Sequence, residues 1–151
     1  MLSLEYAAGF FDGEGCVNLT VSGRERRVVL RLMIVNTDPN ILCAFQAQFG
    51  GEAVTSRQNG PSHWKQFRML KMTGQTAMAF LEDIAPYVRV KAAQVALALE
   101  FWDYTRRPKS ERCIYVRRAS GVGATGQLKP EVIAKEHEFK THMHLLNKRG
   151  A

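Results

Sequence analysis

The hydrophobic pattern changes period early in the chain. Residues from Glu5 to Phe11 are helical in composition: Phe10 and Phe11 can face a core, while Ala7, Ala8 and Gly9 leave a face almost bare of side chains. Gly13 and Gly15 mark where such a helix would end and turn sharply into extended chain. From Cys16 the period is two, with Val17, Leu19 and Val21 pointing one way and Cys16, Asn18, Thr20 and Ser22 the other. A turn at Gly23-Arg24-Glu25-Arg26 leads to a second strand, Arg27 to Val35. It sets Val28, Leu30, Leu32 and Ile34 on one face and Arg27, Val29, Arg31 and Met33 on the other. The hairpin therefore has one apolar face and one polar, basic face.

Asp38 then reads as a helix N-cap with Pro39 at the first helical position, and Ile41, Leu42, Phe45 and Phe49 form one stripe before Gly50-Gly51 closes the helix. A second strand pair, 53–58 and 63–72, turns at Asn59-Gly60-Pro61. In its later strand Trp64, Gln66, Arg68 and Leu70 alternate with Lys65, Phe67, Met69 and Lys71, a pattern that does not decide the core face. A helix over 75–85 carries Ala77, Phe80, Leu81 and Ile84 inward and stops before Pro86. The order predicts an α+β fold, αββαββα: a four-stranded antiparallel sheet with helices on one face and a polar, basic face left open. C-terminal helices complete it. Residues 88–106 place Ala92, Val95, Leu99 and Trp102 on a stripe, 117–127 read as a Gly-rich, basic, flexible connector, and 130–146 turn Val132, Ile133, Glu136, Phe139, Met143 and Leu146 inward. Gly121 and Gly123 lack the strand and spacing of a phosphate-binding fingerprint. One domain over 1–151 is expected, with a core at about 5–105 and a helical extension at about 106–151.

Composition narrows the function. The 151 residues suffice for one domain with a real core, and 46% hydrophobic with 23% charged residues describes a soluble globular protein. The balance is basic, 21 Lys+Arg against 14 Asp+Glu, net +7, which points to a polyanionic partner, nucleic acid before an acidic membrane surface. No apolar run approaches the roughly 20 residues of a membrane span, and no basic-then-apolar leader opens the sequence, so no membrane partner is expected. Cys16, Cys43 and Cys113 are scattered and odd in number, which predicts no disulfide framework and an intracellular, reducing compartment. His63, His137, His142 and His144 lack the spacing of a zinc site.

The candidate chemistry lies at the end of the first helix. Asp12 and Glu14 stand two apart, each followed by glycine, where the helix dipole disfavours negative charge. That arrangement makes sense with a cation beside it. The run Ala7-Ala8-Gly9-Phe10-Phe11-Asp12-Gly13-Glu14-Gly15 resembles the signature of the LAGLIDADG homing endonucleases, with Ala7 in place of the leading Leu and Glu14 in place of the second Asp. Val35-Asn36-Thr37-Asp38 at the end of the second strand is similar to the family too. So is Pro86-Tyr87-Val88-Arg89-Val90-Lys91, a Pro-aromatic-aliphatic-x-x-Lys segment. The resemblance covers about residues 5–105, and the C-terminal third carries no matching motif.

This resemblance implies a site-specific homing endonuclease that makes a double-strand break with short 3′ overhangs in a long, pseudo-palindromic double-stranded DNA site and so promotes intron mobility. With a single motif it implies a homodimer whose signature helices meet at Ala7, Ala8, Gly9 and Asp12. Asp12 would bond near the partner's helix end. Glu14 would be the metal ligand and the Gly13 carbonyl a second one, holding Mg²⁺. Mn²⁺ is expected to substitute, and Ca²⁺ to bind without supporting cleavage. Lys91 would stabilise charge at the scissile phosphate. Asn36 would either hold water near the metals or simply close a strand-end turn. The basic residue that some relatives carry early in the following helix is absent, with Asn40 at about that position.

DNA would be read in the major groove by the open sheet face, the saddle of the fold. The residues alternating onto that face or its turn are Asn18, Thr20, Ser22, Arg24, Arg27, Arg31, Gln66 and Arg68. Arg suits guanine edges, and Asn or Gln suits adenine. Lys65, Lys71, Arg117 and Arg118 are better placed for phosphates. Two alternatives share the scaffold: an intron RNA maturase, for which intron RNA is the partner, and a catalytically inactive DNA-binding protein. Glu14 and Lys91 together favour the nuclease. An unrelated RNA-binding module would need exposed aromatics for stacking, and most aromatics here fall on inner stripes.

Overall fold

The computed structural model describes residues 1–23, 27–55, 67–117, 119, 121 and 124–149. Helix α1 (Leu4–Glu14) starts at Ser3, whose hydroxyl accepts the Tyr6 N–H at 3.2 Å. It runs straight into β1 (Gly15–Ser22), and the junction needs glycine for space. A Cβ built on Gly15 would lie 2.2 Å from the Phe11 ring and 2.5 Å from the Phe11 carbonyl oxygen. β1 pairs antiparallel with β2 (Arg27–Asn36), Gly15 opposite Ile34 and Ser22 opposite Arg27. Asp38 caps α2 (Pro39–Phe49) by accepting the Asn40 N–H at 2.9 Å, and Gly50 and Gly51 leave the helix with φ of 79° and 105°.

Then follow β3 (Glu52–Thr55), β4 (Arg68–Thr73) and α3 (Gly74–Ile84). The sheet order is β1-β2-β4-β3, every pair antiparallel, which is the αββαββα arrangement expected from the pattern. Register settles the face of β4. Leu70 and Met72 are buried, whereas Met69 and Lys71 lie opposite Val35 and Met33 on the open side. The core fills the other side, where Phe11, Phe45, Phe49 and Phe80 interlock with ring centroids 5.0–6.2 Å apart.

Helix α4 (Ala92–Thr105) begins later than the stripe from Val88 suggested, because Arg89 to Lys91 are held in a turn by Asp12. After the short α5 (Lys109–Arg112), the connector expected at 117–127 is partly strand. β5 (Cys113–Arg117) and β6 (Ala124–Leu128) form a separate two-stranded sheet. Helix α6 (Pro130–Arg149) packs back over the β1–β2 hairpin. Its Phe139 and Met143 join the same buried cluster as α1 and α3, and Phe101 meets Phe139 at 5.7 Å. Among the described residues, no helix is long and apolar enough to cross a membrane.

Candidate functional site

The C-terminal end of α1 and the entry to α4 are joined through Asp12. Its carboxylate accepts the backbone N–H groups of Arg89 at 2.7 Å, Val90 at 3.1 Å and Lys91 at 2.9 Å. In return the Lys91 ammonium donates to the Asp12 carbonyl. Partial burial pushes the Asp12 carboxyl up, but the three N–H donors and the nearby Lys91 charge outweigh it and hold the group below the ordinary carboxylate range. Asp12 therefore acts inside its own chain. The expectation that it bonds to a partner's helix end is corrected: the orphan donors that open α4 in its own chain take up both of its oxygens.

Beyond Asp12, Gly13 and Glu14 are exposed, and Glu14 makes no hydrogen bond or ion pair among the described residues. Thus a free carboxylate and the carbonyls of a helix C-terminus project beside a fixed lysine. A cavity of about 460 Å³ next to Lys91 is lined also by Cys16, Gln94 and Asn147. Asn36 lies at this end of the sheet, two positions past the Gly15–Ile34 pair. Its carboxamide oxygen accepts the Asp38 N–H at 2.8 Å, so the turn-closing alternative is the one the geometry displays.

The bare face of α1 also differs from expectation. Ala7 and Ala8 are fully buried within their own chain, so neither is available to a partner. The exposed residues of α1 are Glu5, Tyr6, Gly9, Gly13 and Glu14, of which Tyr6, Gly9 and Gly13 form one stripe at helical spacing. A Cβ on Gly9 or Gly13 would meet nothing within 4 Å. A second helix could lie against this stripe at backbone distance.

On the open sheet face, Asn18 stands opposite Arg31, Thr20 opposite Val29, and Ser22 opposite Arg27. Arg31 neighbours Thr73 on β4 as well. The Thr20 hydroxyl and the Nε atoms of Arg27 and Arg31 are buried and have no hydrogen-bond partner among the described residues, so these polar atoms are left unsatisfied beneath this face. Asn18 is already engaged: its oxygen accepts from Asn147 Nδ2 at 3.1 Å, and its amide donates to Cys16 Sγ at 3.2 Å. Arg68 is a correction. Its parity with Leu70 and Met72 places it on the helix side of the sheet, and Lys71 occupies the open side instead, 4.0 Å from Glu52. The alternation of Leu70 and Met72 with Met69 and Lys71 was the available signal. Arg24 and Gln66 lie outside the described residues, as do Lys65 and Arg118.

Glu136, on the inner stripe of α6, does more than the stripe implies. It is fully buried, accepts the Val28 N–H at 3.1 Å on the stretch of β2 beyond the end of β4, and lies 3.6 Å from the Arg27 guanidinium. Nothing in a lone Glu at helical spacing marks such a role. Among the described residues no cluster of three or more His, Cys, Asp or Glu side chains is placed to hold a metal ion.

No family model matches the chain. The DNA endonuclease I-CvuI of Chlorella vulgaris is 30% identical over 106 residues, which make up 66% of this chain and 63% of that protein. The chain thus spans a little under two thirds of that relative's length. The crystal structure of I-CvuI in complex with its target, in the presence of calcium, superposes with a TM-score of 0.70 at 21% identity over 95% of this chain and 80% of that one. The homing endonuclease I-TnaI superposes with a TM-score of 0.62 at 16% identity, covering 99% of both chains. The LAGLIDADG meganuclease I-AabMI, bound to uncleaved DNA, gives 0.62 at 15% identity over 93% of this chain but 46% of its own.

Proposed function

We infer that this chain, which belongs to the LAGLIDADG homing endonuclease family, acts as a homodimeric, divalent-metal-dependent endonuclease on a long, near-palindromic double-stranded DNA site. The observation that carries this reading is the α1 terminus, where Asp12 fixes Lys91 and, two residues on, an exposed Glu14 has no partner among the described residues. Glu14 and the Gly13 carbonyl are hard oxygen donors of the kind Mg²⁺ prefers. One chain offers a single free carboxylate there, so a bound ion would need further ligands from a second copy and from DNA phosphate. A divalent ion held by Glu14 and the Gly13 carbonyl would supply the Lewis acidity that activates water and stabilises the leaving 3′ oxygen. Lys91 lends positive charge to the phosphate under attack. Asp12 keeps that lysine in place, and the turn from Asn36 to Asp38 closes the same end of the sheet.

The Gly9–Gly13 part of the stripe supports pairing of two α1 helices, since neither position carries a side chain that would block close approach. It also explains how a chain of this size matches just under half of I-AabMI: two copies make one complete enzyme. Each open sheet then reads a half-site, with Arg27, Arg31, Thr20 and Ser22 towards base edges and Lys71 towards the backbone. Cleavage of both strands near the two-fold axis leaves short 3′ overhangs and serves intron mobility. Cys16, Cys43 and Cys113 are all unpaired, in keeping with work in a reducing compartment.

A randomised duplex pool incubated with the protein and Mg²⁺ tests this reading. The cut products are expected to share one long sequence with approximate two-fold symmetry. Binding of duplex without cleavage in any divalent metal would make the chain an inactive DNA-binding protein. Binding of a structured intron RNA, with no duplex selected, would make it a maturase.

A further inference from the structure

The basic charge of this chain is not spread over it. Between Arg106 and Lys129 the sequence holds seven basic residues and one acidic residue, out of 21 and 14 in the whole chain. The other basic stretch is the sheet region, residues 15–73, with eight basic and three acidic residues, whereas residues 1–14 hold three acidic residues and no basic one. The segment holds α5 and the β5–β6 hairpin, and the hairpin has almost no core of its own. Ile114, Tyr115 and Val116 are 43–63% exposed, and Tyr115 lies over Gly126 across the strand pair. An isolated two-stranded hairpin is marginal in water, and large apolar and aromatic side chains left open on one mark a contact surface.

Its root, by contrast, is built firmly. The Lys129 N–H donates to the Arg112 carbonyl at 2.8 Å, and Arg112 Nε donates to the Arg107 carbonyl at 2.6 Å. The Arg107 guanidinium lies 3.9 Å from the centre of the Tyr104 ring. The root also has a defined place along the sheet. α4 starts at Lys91 beside the α1 terminus and runs 14 residues, about 21 Å. Its far end, Trp102 and Thr105, lines a cavity of about 430 Å³ with Ser22, Arg27 and Arg31, at the end of the β1–β2 hairpin remote from Glu14. α6 leaves the root and returns towards the centre, where Asn147 reaches Val17.

We propose that the β5–β6 hairpin and its basic root form an arm that grips duplex DNA beyond the outer end of each half-site, holding the phosphate backbone without reading sequence. This rests on the reading of the sheet face as a DNA-binding surface. The charge complements a phosphate backbone, the root emerges from the end of α4 that lies level with Ser22 and Arg27, at the end of the hairpin remote from Glu14, and Lys109 and Arg117 are exposed. Each phosphate neutralised adds to affinity and to its salt dependence, with no preference among bases.

The test compares the full-length chain with a Lys109→Gln, Arg117→Gln, Lys129→Gln variant on the selected site, either trimmed to its ends or extended by roughly one helical turn on each side. For the unmodified protein, extension should tighten binding at least tenfold, and its hydroxyl-radical footprint should cover the added turns. The variant should lose that gain, and its log–log salt slope should shallow by about one unit per phosphate contact removed. It should still select the same central sequence. Equal gains from extension in both proteins, or a footprint that stops at the trimmed ends, would overturn the arm. Loss of structured-RNA binding in the variant with flanking DNA unaffected would also overturn it, in favour of an RNA contact. If neither protein binds duplex at all, the endonuclease reading itself has failed, a separate result.

Discussion

The Asp12 carboxylate accepts the backbone N–H of Lys91 at 2.9 Å while the Lys91 ammonium donates back to the Asp12 carbonyl. This reciprocal pair ties the end of α1 to the start of α4 across 79 residues of sequence. It explains why two acids so close together do different work. Asp12 turns inward to cap backbone donors, and Glu14 remains free at the surface.

Because the folded Asp12 carboxyl sits below its ordinary range, it binds a proton less readily in the native state than in the unfolded one. Its contribution is therefore complete above the unfolded carboxylate range and is lost as pH falls through the depressed folded value. Asp12→Ala should cost about 1–2 kcal/mol near pH 7, on the scale of a lost helix cap. The difference from the unmodified chain should shrink as pH drops below about 4. Urea unfolding at a series of pH values checks both. A deficit that stays constant to pH 2 would contradict the carboxylate's role.

Lys91→Met removes the cation and keeps most of the stem. The single-turnover cleavage rate should fall on the order of 10²–10³-fold, with affinity for the uncleaved site changed far less. A drop in affinity with the cleavage step unchanged would make Lys91 a simple phosphate anchor.

Gly9 separates folding from assembly. A side chain there meets nothing within its own chain, and replacing a mid-helix glycine gains up to about 1 kcal/mol of helix propensity. Gly9→Leu should therefore keep or raise thermal stability of the chain while sedimentation shows the dimer lost. A Gly9→Leu protein that remains dimeric would place the two-fold contact elsewhere.

Glu136 should control Arg27 from the far side of the hairpin. Glu136→Leu leaves the Val28 N–H and the Arg27 guanidinium unpaired and should cost about 1–3 kcal/mol. Glu136→Gln keeps an acceptor for Val28 and should fold close to normally. Site selection with the Gln variant should relax base preference at the outer positions of each half-site and leave the centre unchanged. A selected site identical throughout would limit Glu136 to packing.

The core of the fold was legible because its signals are local. The change of period at Gly15, the Asp38-Pro39 start and the Gly50-Gly51 stop each act within a few residues, and the end of α1 and both ends of α2 fall where the pattern puts them. What was missed depends on distant partners. Nothing near Asp12 in sequence reveals that its acceptors meet residues 89–91, and nothing near Ala7 and Ala8 distinguishes burial in the chain from burial against a copy. Arg68 was misplaced because strand β4 mixes polar and apolar residues on both parities until Leu70 and Met72, and the β2 register decides it. The β5–β6 hairpin escaped notice because it lacks a buried face to impose alternation, and its glycines read as loop.

The most direct measurement compares the unmodified protein with Glu14→Gln on the selected duplex, in Mg²⁺ and again in Ca²⁺. The unmodified chain should bind in both and cut both strands only in Mg²⁺. Glu14→Gln should bind the same site and leave it intact in either metal. Cleavage by Glu14→Gln at the unmodified rate in Mg²⁺ would contradict the assignment of the exposed α1 carboxylate as the metal ligand, and with it the mechanism built on that helix end.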